Sequence, residues 1–350
     1  MLNFDHKKLK TQMLDVLKKL QLDKDSIHHV TESLIETSLR GTDSHGINLF
    51  PHYVNAIKSG RINKKPSFSF EEKNKTTAIL NADNAIGHHS GAVAMQKAIE
   101  KAKEYGMGAV AVKQSSHFGA AAYFALMGAE ENCLGFSFTN ADALVKAINA
   151  KESFFGTNPI CFTAPLSHED PFCLDMATSM ISWNKRNNYL REKLQLGENL
   201  AYDKEGLPTT DPAKASSLAP AGDYKGFGLG MMVDILTSVL AGSLISKDIA
   251  PMYTSDISLQ RNIGHFFMAI DIRGFSDVDS FKTRLQNMVD KIREMDKLDK
   301  EDVMVPGDPE KKMKFLRLKN GIPIDNEKFK EFLSITKKFK ECVIDGESVS

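Results

Sequence analysis

Between residues 76 and 176 the chain alternates short apolar runs with helical stretches, and this alternation restricts the fold more than any other feature. Residues 76–80 read as a strand, 87–90 as a turn, and 91–105 as a helix closed by Gly106. Residues 108–112 form a buried-strand pattern, 120–131 an Ala-rich helix, and 134–139, 159–164 and 172–176 three further strands. A last strand falls at 265–270, after a small-residue, Met-rich helix at 226–240. Strands interleaved with helices predict an α/β layered domain over about 73–277.

Both ends read as helical. Leu9, Met13, Val16, Leu17 and Leu20 fall at helical spacing. Asp25 or Ser26 is the expected cap of a second helix bearing Ile27, Val30 and Leu34. Residues 40–46 interrupt the pattern with two glycines, 47–57 resume it, and 66–72 read as a linker or edge. Phe281, Leu285, Met288, Ile292 and Met295 mark a helix at about 278–296, followed by a lysine-rich solvated tail. Residues 1–72, together with about 278–350, are therefore expected to form a mainly helical domain.

Lys plus Arg and Asp plus Glu are both 45, so bulk charge holds no nucleic acid here. A hydrophobic content of 42 % excludes a disordered chain. Cys133, Cys161, Cys173 and Cys342 form no CxxC pair and sit mostly among apolar residues, which predicts buried, reduced thiols rather than a zinc site. The N-terminus lacks the apolar core of a signal peptide, and no 18-residue apolar run occurs. These features predict a cytoplasmic protein with no membrane partner.

Lys225-Gly226-Phe227-Gly228-Leu229-Gly230 imitates a dinucleotide fingerprint. Its spacing is wrong and no strand precedes it, so glycines on a closely packed helix are expected instead. The histidines carry more. His45, in Thr42-Asp43-Ser44-His45-Gly46, and His117, in Ser115-Ser116-His117-Phe118-Gly119, both sit in glycine-flanked loops. His117 lies between a strand and a helix, where an imidazole can exchange a proton near neutrality. Ser44 and His45 are chain neighbours and so are not expected to face each other as a nucleophilic pair. No GxSxG elbow and no HExxH spacing occur, and no metal is expected. Asp142 and Asp175 end apolar strands, and an aspartate there can support an imidazole. Lys225 precedes a glycine-rich helix start, where it could meet phosphate or carboxylate.

The motifs, taken in order, resemble one family. They are Arg40-Gly41-Thr42-Asp43-Ser44-His45-Gly46 with Pro51-His52-Tyr53; Ser116-His117-Phe118-Gly119; Thr139-Asn140; Gly156-Thr157-Asn158-Pro159; Asp175-Met176-Ala177-Thr178-Ser179; Gly206-Leu207-Pro208-Thr209-Thr210-Asp211-Pro212; Lys225-Gly226-Phe227-Gly228-Leu229; and Pro306-Gly307-Asp308. The set is similar to the type 2 malate/L-lactate dehydrogenases, a family that includes ureidoglycolate and sulfolactate dehydrogenases and diketogulonate reductase.

The resemblance implies a non-Rossmann NAD- or NADP-binding α/β domain beside a helical domain, a homodimer, and interconversion of a small 2-hydroxy acid with its 2-oxo acid. It implies that His117 is the catalytic histidine and Asp142 the carboxylate orienting it. Ser44 and His45 would lie at the substrate, with His45 itself the proton donor in some members, and Tyr53 would line the substrate side. The cofactor stretch would be Leu174, Asp175, Met176, Ala177, Thr178, Ser179 and Met180, with Lys225, Gly226, Pro306, Gly307 and Asp308. Oxidation needs a base for the hydroxyl proton and a clamp for the substrate carboxylate. Many members carry an arginine four residues after the first-motif histidine; this chain has Leu49. Ile148-Asn149-Ala150 also departs from an apolar residue followed by two glycines. Arg186 or Lys146 could then hold the carboxylate. Two alternatives remain open at this point: a reductase of cyclic imine acids, and a cofactor-binding homologue without turnover.

Overall fold

The computed structural model describes residues 2–298 and 300–344. At its centre is a seven-stranded sheet of β1 (Ser69–Glu71), β2 (Thr77–Asn81), β3 (Met107–Ser115), β4 (Cys133–Thr139), β5 (Ile160–Ala164), β6 (Phe172–Met176) and β7 (Ile263–Asp271). The spatial order is β1-β2-β3-β7-β4-β5-β6. Only β2 and β3 pair in parallel; the remaining neighbours are antiparallel. The sheet is therefore not doubly wound, which accounts for the absence of a dinucleotide fingerprint.

Ten α-helices are described: α1 (His6–Lys19), α2 (Lys24–Leu39), α3 (Phe50–Lys58), α4 (Gly87–Tyr105), α5 (Ala122–Glu130), α6 (Trp183–Arg191), α7 (Tyr224–Asp234), α8 (Val278–Arg293), α9 (Asp308–Asn320) and α10 (Asn326–Ile335). α1 buries Leu9, Met13, Val16 and Leu17 on one stripe, and Asp5 caps it by accepting from the Lys8 N–H at 2.8 Å. α2 is capped by Asp23, which accepts from the Asp25 and Ser26 N–H groups, rather than by Asp25 or Ser26. α4 begins at Gly87; the expected turn at 87–90 is its first turn. Gly106, at φ +87°, ends it in the left-handed region. α7 passes into a π-helical stretch, Ile235–Val239.

Two cores result. One joins α1, α2 and α3 to the C-terminal segment through Phe4, Leu9, Phe50, Ile322, Phe332 and Phe339. Leu2–Phe4 pairs with Ile322–Ile324, which ties the two chain ends together. The other packs α4 and α5 on the sheet through Met95, Ile99, Val110, Phe118, Phe124 and Phe267. α8 joins neither; its Val289 packs with Leu166 and Val305. No helix among the described residues is long and apolar enough to cross a membrane.

The register gathers chemistry at one edge of the sheet. β3 and β4 end there, and β5 and β7 begin there, because Ile263 lies opposite Ser115, His265 opposite Thr139 and Ile160 opposite Phe138. β6 also ends there, Met176 opposite Ile160. His117, Asp142, Arg261, Thr157 and Asp175 thus converge from five chain segments.

Candidate active site

His265 fixes the floor of this edge. Its Nδ1 is 2.8 Å from Thr139 Oγ1 on β4 and its Nε2 is 2.8 Å from Ser115 Oγ on β3. The Phe118 ring stacks on it at 4.7 Å. Two asparagines brace the following loops. Asn140 gives Nδ2 to Ser238 Oγ and the Leu244 carbonyl, and Asn158 accepts the Ala141 N–H.

Above the floor, His117 Nδ1 lies 2.6 Å from the Tyr53 hydroxyl and 3.4 Å from the Gly119 N–H. An amide can only donate, so this contact favours Nδ1 as acceptor and leaves the ring proton on Nε2. Gly119 adopts φ +78°, and a Cβ there would stand 2.7 Å from His88 Nε2, so only glycine permits this turn. Burial pushes the His117 imidazole well below its usual range, with neighbouring His45 and Arg261 adding to the effect. Burial keeps the Tyr53 phenol protonated.

The His45 ring stacks on His117 at 5.7 Å. Its Nδ1 is 2.9 Å from Ser44 Oγ, so these chain neighbours do face each other, contrary to expectation. Burial lowers the His45 imidazole to about 4. The loop carrying both is held from the C-terminal side of the chain. Arg317 of α9 donates to both Asp43 carboxylate oxygens, at 2.5 and 2.8 Å, and to the Ser38 carbonyl. Asn184 Nδ2 donates to the Ser44 carbonyl at 3.0 Å.

Asp142 does not orient His117. Its carboxylate is hydrogen-bonded to Arg261 Nη2, and Tyr53 occupies the position behind the imidazole. Arg261 is 2 % exposed, gives Nε to the Ala250 carbonyl at 2.9 Å, and has no protein partner at Nη1 among the described residues. Residue types alone gave no reason to single out Arg261. Its ion pair with Asp142 spans 119 residues of sequence.

Two cavities meet at these residues. The smaller, about 260 Å³, is lined by His45, Leu49, His117, Asp142, Trp183 and Arg261, among others. The larger, about 470 Å³, runs past the N-terminus of α5 and is walled by small residues: Gly119, Ala120, Ala121, Ala122, Ala177 and Gly307. His45, Thr157 and Ser182 line both, so the two adjoin. A trench with small residues along part of its wall that passes a helix N-terminus suits a dinucleotide, whose phosphates gain from the helix dipole. Asp175 opens onto the trench. The protein around it pushes its carboxyl up to about 6, while its Oδ2 accepts the Ala122 N–H at 3.0 Å.

The family profile for malate/L-lactate dehydrogenases matches residues 4–333. The chain belongs to the malate/L-lactate dehydrogenase family. It is 33 % identical to the L-sulfolactate dehydrogenase of Methanocaldococcus jannaschii over 93 % of this chain and 94 % of that one. It is 36 % identical to the malate dehydrogenase of Pyrococcus abyssi, over 92 % and 91 %. The crystal structure of malate dehydrogenase from Entamoeba histolytica superposes with a TM-score of 0.90 at 32 % identity, covering 97 % of this chain and 98 % of that one.

Of the residues that the malate/L-lactate dehydrogenase pattern assigns to cofactor, Leu174, Asp175, Ala177, Pro306 and Gly307 line the trench. Met176, Thr178, Ser179, Met180, Lys225, Gly226 and Asp308 do not. The Thr178 and Met180 N–H groups are bonded to the Thr157 and Ala219 carbonyls, and Ser179 Oγ donates to the Ile181 carbonyl. Lys225 is exposed on α7, and Gly226 packs against the Thr178 carbonyl. Asp308 is engaged by Arg293. Neither substitute clamp reaches the smaller cavity. Arg186 stacks on Trp183 and donates to the Ala215 carbonyl, while Lys146 stands over Tyr202. His88 was not expected near the site. It is fully buried against the Tyr53 ring at 4.8 Å, and neither of its nitrogens has a hydrogen-bond partner. Asp23, Asp25 and His89 are grouped closely enough to hold a cation, but they line neither cavity, and His89 is already bonded to Ser26.

Proposed function

We propose that the chain is an NAD- or NADP-dependent dehydrogenase that interconverts a small 2-hydroxy acid and its 2-oxo acid, with His117 exchanging the hydroxyl proton. The observation that carries this reading is the placing of an imidazole, braced by Tyr53, beside the open guanidinium of Arg261, in a cavity adjoining the small-walled trench. A bound nicotinamide supplies the two-electron redox partner. In oxidation the ring proton shifts to Nδ1, where the Tyr53 oxygen accepts it, and the freed Nε2 takes the hydroxyl proton, giving imidazolium. In reduction the imidazolium returns its Nε2 proton to the carbonyl oxygen of the acid and is left neutral. Arg261 Nη1 receives the substrate carboxylate, and Asp142 fixes the guanidinium from the other side. The trench offers Glu36, Asp175 and Glu310, and its Arg40 is already paired with Glu36 and Asp170, a setting that favours the ribose diol of NAD over a 2′-phosphate.

The test is the loss of reduced-nicotinamide absorbance, with NADH and NADPH in turn, against a panel of 2-oxo acids and a cyclic imine acid. Turnover with a 2-oxo acid, faster with NADH, supports the reading. Turnover with the imine acid alone overturns it.

Two further features belong to this proposal. α7 and the stretch after it expose Tyr224, Met231, Met232, Ile235, Val239 and Leu240, an apolar face that we assign to a second copy of the chain. The four buried, unpaired cysteines fit a reducing, cytoplasmic setting.

A further inference from the structure

Resting on the dehydrogenase reading above, we propose that the smaller cavity selects 2-hydroxy and 2-oxo acids with one carboxylate and an apolar side chain, and discriminates against dianionic acids. The cavity's charge supports this. Among its lining residues only Asp142 and Arg261 carry formal charge, and they are bonded to each other. Its two histidines are held neutral by burial. One substrate carboxylate can be met at Arg261 Nη1. A second carboxylate, or a sulfonate, finds no cation on the rest of the lining, which is apolar at Leu49, Leu144, Trp183, Pro251 and Met252 and uncharged at Ser182, Asn184, Tyr253 and Thr254.

An anion placed against such a wall loses its water and gains no counter-charge, whereas a branched alkyl group gains from the same burial. The next cations stand off the cavity. Arg61 lines neither cavity; its Nη2 donates to the Asp256 carbonyl, and its Nε and Nη1 are buried without a partner among the described residues. Arg186 lies behind the indole of Trp183, bonded to Ala215. Leu49 is decisive because its buried side chain is part of the wall, on the turn that follows the His45 loop. A cation at that position would supply the second counter-charge.

The purified protein is assayed with its preferred reduced cofactor against 4-methyl-2-oxopentanoate, oxaloacetate and sulfopyruvate. The branched monocarboxylate is expected to have the highest kcat/KM, by at least about 10-fold. Trp183 is the sole tryptophan and lines this wall, so its fluorescence gives a readout independent of turnover. With NAD+ or NADP+ bound, 4-methyl-2-oxopentanoate is expected to quench it at concentrations at which oxaloacetate does not. Leu49→Arg is expected to narrow or reverse the preference. Wild-type preference for oxaloacetate or sulfopyruvate overturns the inference and leaves the dehydrogenase reading standing. Absence of turnover with every acid, together with unchanged Trp183 fluorescence, overturns both. The wild-type comparison decides even where Leu49→Arg fails to fold.

Discussion

The Tyr53 hydroxyl meets Nδ1 of His117 at 2.6 Å, although the two residues lie 64 positions apart. A phenol that burial keeps protonated thus stands where the family resemblance placed a carboxylate. His117→Ala is expected to lower turnover by roughly 100-fold or more, the usual scale for a general acid–base, with little change in cofactor affinity. Tyr53→Phe is expected to lower kcat by about 10-fold and leave KM nearly unchanged, since it frees the ring without altering the carboxylate contact. Steady-state kinetics of both variants decide this, and an active His117→Ala protein sinks the assignment.

In the proposed reaction Asp142 and Arg261 act on binding rather than on the proton. Arg261→Lys replaces a planar fork with a point charge and is expected to raise the KM for the acid by about 10- to 100-fold. Asp142→Asn is expected to move KM more than kcat. A collapse of kcat in Asp142→Asn with unchanged KM would instead put the carboxylate behind His117.

Buried neutral histidines set the acid limit of the fold. Burial lowers both His88 and His265 to about 3. The unfolded chain takes up protons on both side chains below about pH 6.5, and the folded protein does not. Their contribution is therefore complete above about 6.5 and is lost as pH falls toward 3, each at up to about 1.4 kcal/mol per pH unit. Thermal melts from neutral to mildly acidic pH are expected to show this loss. His88→Leu is expected to make it shallower by one proton, since neither His88 nitrogen has a partner to lose. An equally steep loss in His88→Leu refutes the account.

The apolar face of α7 and of the stretch after it predicts a dimer. Val239 and Leu240 are 67 % and 56 % exposed. Val239→Asp is expected to shift the protein from dimer to monomer in light scattering. A wild-type monomer removes the second copy from the proposal.

Much of the framework was legible because its signals are local. β6 falls at the expected residues 172–176, and the strands near 108, 134 and 160 and the final strand near 265 were all visible as apolar runs. Errors arose where a local signal had two readings. Residues 87–90 suggested a turn, yet Gly87 opens α4; a Cβ there would strike the Ser116 carbonyl at 2.2 Å, so this glycine serves a close approach and not a turn. Asp23 outcompeted Asp25 as the α2 cap because its carboxylate reaches two open N–H groups at once. In the site, His45 and His117 stood out through their glycine-flanked loops. Arg261 did not, since nothing in its neighbours indicates a pairing with Asp142 that only the meeting of β4 and β7 creates.

The position of β7 has a consequence for how the molecule is made. It enters between β3 and β4, which precede it by more than a hundred residues of chain. Until it inserts, the sheet is two separate halves, β1-β2-β3 and β4-β5-β6, each with an unpaired inner edge. Such long-range pairing is slow relative to helix formation. Arg261 sits two residues before β7, so the same insertion that closes the sheet delivers the guanidinium to Asp142 and sets it beside His117. The last strand of the central sheet thus closes that sheet and supplies the cation of the smaller cavity in one step.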